Sequence, residues 1–279
     1  MKKIITAAAV LFTVLALSTC KTLQSVMQEP LISLHSVELA SVNINGVQLL
    51  CKVQVENPNA FEIPFPETDW ELFINANSFV SGVVKNNRHI GARQKMLVDV
   101  PVNLDYLGVF NSFRSLKGSQ KAGYKIALGV KFPVSVFGED KVWNFEHEGE
   151  FPLPQLPKLS APSIRIESRD STKVEILVTV NVENPNVFEL PSFKIEYDYR
   201  LNRNSFIKGE TGSAAIAAGA VTPVVFRLSV HYSDLFRSFA SLIGSREVYG
   251  SISLFGDFGI PVFSGETFNL STSGSLPLR

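Results

Sequence analysis

The sequence contains an internal repeat. Residues 53–82 and residues 180–209, which lie 127 positions later, align without a gap and are identical at 14 of 30 positions. Chance does not produce such a run, so one structural unit is expected to occur twice. With 279 residues, the chain is long enough for two domains that each bury a core. We therefore expect two copies of one domain in tandem.

Composition and alternation indicate that this domain is built from β-sheet. Hydrophobic residues make up 45% of the chain and 21 residues are Phe, which suits half-buried sheet surfaces. Leu49, Cys51, Val53 and Val55 recur at every second position, so they share one face of a strand. We predict an all-β fold of two tandem antiparallel β-sandwiches. Lys and Arg total 26, as do Asp and Glu, so no nucleic-acid partner is expected.

The pattern of the amino terminus indicates a secretory signal peptide. Two lysines precede an apolar or small run at residues 4–17, which is too short for the roughly 20 residues of a spanning helix. Leu17-Ser18-Thr19-Cys20 resembles a bacterial lipobox, although Thr19 departs from the usual Gly, Ala or Ser. This resemblance implies removal of residues 1–19, lipidation of Cys20 and attachment to the bacterial cell envelope, at the periplasmic face or the outer membrane. The alternative is ordinary cleavage after Ser18, which would leave Cys20 a plain thiol.

The mature chain then divides into four predicted segments. Residues 20–30 form a tether, residues 31–150 the first sandwich, and residues 163–279 the second. Residues 151–162 contain four prolines in 12 residues, which favours an extended, semi-rigid linker.

An Asn-Pro-Asn motif ends the same strand in each copy. It occupies Asn57, Pro58 and Asn59 in the first repeat, and Asn184, Pro185 and Asn186 in the second. Proline has no amide hydrogen for a sheet, and Asn favours turns, so a bend is expected here. Phe61, Ile63 and Phe65 should then return to the core. Ligand binding by the asparagines is the alternative to this structural role.

Turns and one helix complete the predicted unit. Asn45-Gly46 and Asn75-Ala76-Asn77 are hairpin signals. Apolar residues at spacings of 4, 3 and 3 predict a helix over residues 105–116, with Asp105 as its cap, and a counterpart over residues 231–242. The four residues that form this apolar face are Tyr106, Phe110, Phe113 and Leu116.

These elements resemble the WHy domain, which is also called the late embryogenesis abundant type 2 family. The residues that carry the resemblance are the Asn-Pro-Asn motifs, Ile63-Pro64, Asn77 and Gly82, with Leu190-Pro191, Asn204 and Gly209 in the second copy. The resemblance implies sandwiches of fibronectin type III or immunoglobulin kind, each with one short helix. It also implies a role in stress or desiccation tolerance and supplies no catalytic residue.

The sequence contains few candidates for catalytic or metal-binding residues. No nucleotide-binding or nucleophile motif is present, and the histidines (His35, His89, His147 and His231) lie far apart. Cys51 aligns with Val178, so we expect it to be a buried apolar residue without a disulfide. We expect no enzyme activity, no cofactor, no metal and a monomer. Two functions remain open: a protective or protein-interaction module, and a sandwich that holds an apolar ligand such as a lipid between its sheets.

Overall fold

The computed structural model describes residues 27–85, 87–132, 141–160, 162–201, 204–234 and 247–277. The predicted signal peptide and Cys20 lie outside the described residues. Within the described ranges, no helix is long and apolar enough to cross a membrane.

The first repeat is almost entirely strand. Its elements are β1 (Leu31–Val42), β2 (Gly46–Glu56), β3 (Ile63–Pro64), β4 (Glu67–Ile74), β5 (Asn77–Val84), β6 (His89–Ile90), β7 (Lys95–Asp105), helix α1 (Tyr106–Ser112), a 3-10 turn (Arg114–Leu116), β8 (Lys121–Lys131) and β9 (Trp143–Pro152). Strands β1, β2 and β7 form one sheet in that order, and β5, β4, β8 and β9 form another. The short strands β3 and β6 pair with each other.

The second repeat follows the same plan. Its elements are β10 (Lys158–Leu159), β11 (Ser163–Arg169), β12 (Lys173–Glu183), β13 (Lys194–Leu201), β14 (Asn204–Gly212), β15 (Val221–His231), β16 (Glu247–Gly256), a 3-10 turn (Pro261–Phe263) and β17 (Phe268–Pro277). Strand β12 pairs with β10, β11 and β15, while β14, β13, β16 and β17 form the second sheet in that order. The predicted all-β class of antiparallel sandwiches is confirmed.

Buried and more exposed side chains alternate along the central strands, and the buried ones form the cores. On β2 the four residues predicted to share a face are all buried, with exposed fractions of 1% or less. Their counterparts on β12 include Val178, Val180 and Val182, each fully buried. In the second repeat the ring of Tyr197 on β13 stacks on Phe226 of β15 at 5.5 Å, which joins the two sheets. Apolar burial of this kind supplies most of the driving force for folding.

The chain divides into two compact units. Within the described residues, the first comprises residues 27–41, Val47–Leu104 and Lys121–Phe151. The second comprises Val42–Gly46, Asp105–Gln120 and the residues from Pro152 onward.

The predicted helix of the first repeat is present, but it is short. The α-helix ends at Ser112 and a 3-10 turn follows. Asp105 caps it as predicted, because its Oδ2 accepts a hydrogen bond from the Gly108 amide at 2.8 Å. Residues 232–234 of the counterpart are helical, and residues 235–242 lie outside the described residues.

Two local predictions are wrong. The first hairpin does not use Asn45-Gly46 as a two-residue turn: Gly46 begins β2, and the Asn43 side chain accepts hydrogen bonds from the amides of Asn45 and Gly46. This Asx turn bends the chain without a positive φ. Phe61 does not return to the core and is 43% exposed, because the chain reaches the core only at Ile63.

Candidate functional site

Asn57 ties the end of β2 to two neighbouring loops. Its side-chain amide Nδ2 donates to the carbonyls of Phe61 at 2.7 Å, Gly91 at 3.0 Å and Ile90 at 3.2 Å. Its Oδ1 accepts from the backbone amide of Asn59 at 3.0 Å. The residue is fully buried, so these bonds replace the water that the amide loses on folding.

Asn59 holds the segment that enters the first repeat. Its Oδ1 accepts from the backbone amide of Gln28, and its Nδ2 donates to the Gln28 carbonyl, both at 2.8 Å. The carboxamide therefore binds one residue through both backbone groups, as a neighbouring strand would. We call this pair of bonds the entry clamp. Gln28 lies in the segment that the sequence predicts to be the tether.

The second repeat reproduces this network atom for atom. Asn184 Nδ2 donates to the carbonyls of Phe188, Ile216 and Ala217 at 2.8–3.1 Å. A second entry clamp joins Asn186 to both backbone groups of Gln155, at 2.7 and 2.9 Å.

These contacts favour a structural role for the Asn-Pro-Asn motif over ligand binding. Asn57 and Asn184 are fully buried, and their donors point at carbonyls of the same chain. A ligand would have to displace those bonds, which supply the partners of a buried side-chain amide.

The clamped glutamines are structural positions of the repeat that the sequence reasoning missed. Gln28 and Gln155 are separated by the repeat offset of 127, and a proline follows two positions later in each copy, at Pro30 and Pro157. Both prolines are buried. Extending the alignment upstream of residue 53 would have found this match.

A shallow groove lies on the outer face of the β5-β4-β8-β9 sheet. Its volume is about 570 Å³, and small residues such as Ala127 and Gly129 form its floor. The rest of its lining mixes polar side chains, such as Asp69 and Glu146, with apolar ones, such as Val83 and Phe145. The predicted apolar ligand would lie between the two sheets, so this open groove on an outer face does not test that prediction.

The rim of this groove carries ion pairs. Lys131 Nζ lies 3.0 Å from Glu67 and 2.8 Å from Asp69, and Lys85 lies 2.9 Å from Glu67. Hydrogen bonds from Lys85 and Lys131 lower the pKa of the Glu67 carboxyl. Exposed pairs of this kind contribute little to stability.

The candidate chemical residues are dispersed. Within the described ranges, no group of three or more His, Cys, Asp or Glu side chains could hold a metal ion. His147 lies against Tyr124, with ring centroids 6.2 Å apart. Cys51 is buried and free, and burial raises the pKa of its thiol to about 11. A thiol in this state is a packing residue rather than a nucleophile.

Comparison with known proteins matches both repeats to one family. The family model described as late embryogenesis abundant protein (LEA_2) matches residues 52–149 and again residues 179–274. These two regions include both Asn-Pro-Asn motifs.

Individual relatives match about half of this chain. The probable desiccation-related protein LEA14 of Arabidopsis thaliana is 27% identical over 122 residues, which cover 44% of this chain and 80% of that protein. The desiccation-related protein PCC27-45 of Craterostigma plantagineum is 23% identical and covers 47% and 85% respectively. The solution structure of AT1g01470 from Arabidopsis thaliana is 26% identical, covers 47% of this chain and 85% of that one, and gives a TM-score of 0.36.

Proposed function

Because the chain belongs to the late embryogenesis abundant (LEA_2) family, we propose that it is a non-catalytic, lipid-anchored protein of the bacterial envelope that protects other proteins during water stress. The observation that carries the proposal is the double family match, together with the desiccation-related names of the relatives. The signal sequence and Cys20 supply the proposed anchor.

An exposed edge strand gives the protective role a physical basis. Every residue of β11 is exposed, and its paired neighbour is β12. Ile164 and Ile166 are 38% and 56% exposed. An edge strand with open backbone groups and accessible apolar side chains is suited to cover an unfolded segment of another protein. The register shift between Ile166 and Ser168 interrupts the pairing pattern and so opposes uncontrolled stacking of such edges.

Drying tests this proposal. A labile enzyme is dried with residues 21–279, a form that lacks Cys20 and its lipid, and its activity is measured after rehydration, with albumin of equal mass as the reference. We expect more activity of the enzyme to survive with this form than with albumin. Recovery no better than with albumin would contradict the protective role.

Two matched variants locate the protective surface. Ile166→Lys should lower the recovery, because it places a charge on the edge strand. Val187→Lys should leave it unchanged, because Val187 is 60% exposed but lies in a loop outside the strands. Both variants should melt at the wild-type temperature.

Fractionation tests the anchor separately. The full chain with Cys20→Ser, expressed in a Gram-negative host, should lose labelling by radioactive palmitate and move from the membrane to the soluble fraction. Unchanged palmitate labelling of this variant would show that Cys20 is not the acylated residue.

A further inference from the structure

We propose that the segment of residues 85 and 87–95, here called the basic loop, docks on anionic phospholipid headgroups of the membrane that holds the chain. The proposal rests on the proposed function for the lipid anchor, and it adds a second, electrostatic contact to that anchor. Clusters of basic side chains next to a membrane anchor are attracted to anionic lipids, and this attraction adds to the affinity that the anchor supplies.

The entry clamp places the basic loop beside the start of the fold. Gln28 lies eight positions after Cys20, a stretch that spans at most about 29 Å when fully extended. Asn59, which binds Gln28, also accepts a hydrogen bond through its carbonyl from the Arg93 amide at 3.0 Å. The basic loop and the chain entry therefore lie at the same end of the first unit, within reach of the surface that holds Cys20.

The charge of this loop distinguishes the two repeats. Residues 85–95 contain Lys85, Arg88, Arg93 and Lys95 and no Asp or Glu, whereas the equivalent residues 212–221 contain no charged residue at all. The two loops hold the same buried asparagine network, so folding does not require the charges. The basic residues occur in the copy that directly follows the proposed lipid.

The lysines of the basic loop extend further into solvent than their carboxylate partners. Lys85 and Lys95 side chains are 68% and 62% exposed, whereas Glu67 and Glu56, which pair with them, are 19% and 31% exposed. A planar anionic surface approaching this end would therefore meet the ammonium groups first. Each basic group near such a surface strengthens binding by about fivefold.

Arg93 occupies a strained backbone position. Its φ is 55°, in the left-handed region that favours glycine, and the equivalent residue of the second repeat is Gly219 with φ 66°. An arginine is thus held where the same turn elsewhere in the chain uses glycine. Such strain is typical of positions with a functional role.

An exposed aromatic residue adjoins the loop. Phe61 is 43% exposed, and its carbonyl shares the Asn57 side-chain amide with the carbonyl of Gly91 in the basic loop. Aromatic side chains beside basic groups suit the boundary between headgroups and acyl chains.

Vesicle sedimentation tests the proposal in the absence of the covalent lipid anchor. The form of residues 21–279, which lacks Cys20, is mixed with vesicles of equal parts phosphatidylglycerol and phosphatidylcholine, or of phosphatidylcholine alone. We expect binding to the anionic vesicles only, weakening as salt is raised. The combined variant Arg88→Gln, Arg93→Gly and Lys95→Gln should bind at least tenfold more weakly, as three contributions of about fivefold predict.

A matched variant controls for total charge. Lys158→Gln, Lys194→Gln and Lys208→Gln remove three charges from the second repeat and should leave vesicle binding within about twofold of wild type, since each lies outside the loop. Arg93→Gly alone relieves the strain, so it should fold at least as well as wild type and still bind more weakly. Equal binding to both vesicle types, or an equal loss in the control variant, would overturn the proposal. Because the chain used lacks Cys20, this result is independent of the palmitate experiment.

Discussion

The indole of Trp70 on β4 lies across Gly82, its cross-strand partner on β5. A Cβ added at Gly82 would come within 2.6 Å of the ring, so the close approach requires glycine. Tyr197 and Gly209 repeat the arrangement in the second copy, where a Cβ would lie 2.5 Å from the phenol Cζ. An aromatic ring that covers a cross-strand glycine is therefore part of the repeated unit.

Gly82→Ala should destabilise the first unit by about 1–3 kcal/mol, because the methyl group displaces the Trp70 ring from its packed position. Urea unfolding followed by Trp fluorescence measures the change. Gly123→Ala is the matched control, since the nearest atom to its added Cβ is 4.0 Å away. Equal midpoints for wild type and Gly82→Ala would show that the ring moves aside at no cost.

Asn57→Ala should lower the free energy of unfolding by about 2–4 kcal/mol. The substitution removes the donor that the carbonyls of Phe61, Ile90 and Gly91 share, and a buried group that loses its partner costs about 1–3 kcal/mol before relaxation. Asn77→Ala is the control, because Asn77 is exposed. A melting temperature for Asn57→Ala equal to that of the control would show that the motif does not stabilise the fold.

The Cys51 thiol should resist labelling in the folded protein. Burial raises its pKa to about 11 from an ordinary value of 9.0, so at pH 8 it is protonated and inaccessible. A thiol reagent at that pH should label the unfolded chain only. Because the pKa of the Cys51 thiol is raised, the contribution of the protonated thiol to stability is full below about pH 9 and is lost as the pH rises through about 11.

Replacing Cys51 by Val, the residue at the aligned position 178, should change stability by less than about 1 kcal/mol at pH 7. It should also weaken the alkaline loss of stability, measured as urea midpoints between pH 8 and pH 11. Rapid labelling of the folded wild type would contradict the buried, protonated state.

Asp170 should contribute to acid sensitivity at the β11–β12 turn. Its carboxylate accepts hydrogen bonds from the Thr172 hydroxyl and from the amides of Thr172 and Lys173, which lower its pKa to about 2 from 3.8. A depressed pKa stabilises the fold above about pH 4, and this contribution is lost as pH falls through about 2.

Asp170→Asn keeps an acceptor oxygen but does not titrate. Melting temperatures between pH 4 and pH 2 should therefore fall less steeply for this variant than for wild type. Identical slopes for the two proteins would exclude Asp170 as a contributor.

The repeat and the strand alternation were sufficient to predict the fold class, because burial on β2 and β12 follows period two. The Asn-Pro-Asn motif was recognisable, but its partners were not. Asn57 bonds to carbonyls 33 and 34 positions away, and such pairings depend on loop geometry that local sequence does not encode. The exposure of Phe61 was missed for the same reason, since an apolar residue after a turn can face either way. The sequence shows that glycine occupies both position 82 and the equivalent position 209. The aromatic ring that requires glycine there lies on another strand, so the reason was not visible.

The entry clamps decide where a working fragment of either repeat has to begin. A first fragment that starts at residue 31 would leave the buried Asn59 carboxamide without Gln28, and a second that starts at residue 163 would do the same to Asn186. Starting points at residues 27 and 154 retain both backbone partners. Versions cut at the start of β1 or β11 should consequently be less stable than versions that begin at residues 27 and 154, because only the longer versions keep the glutamine that the buried asparagine binds.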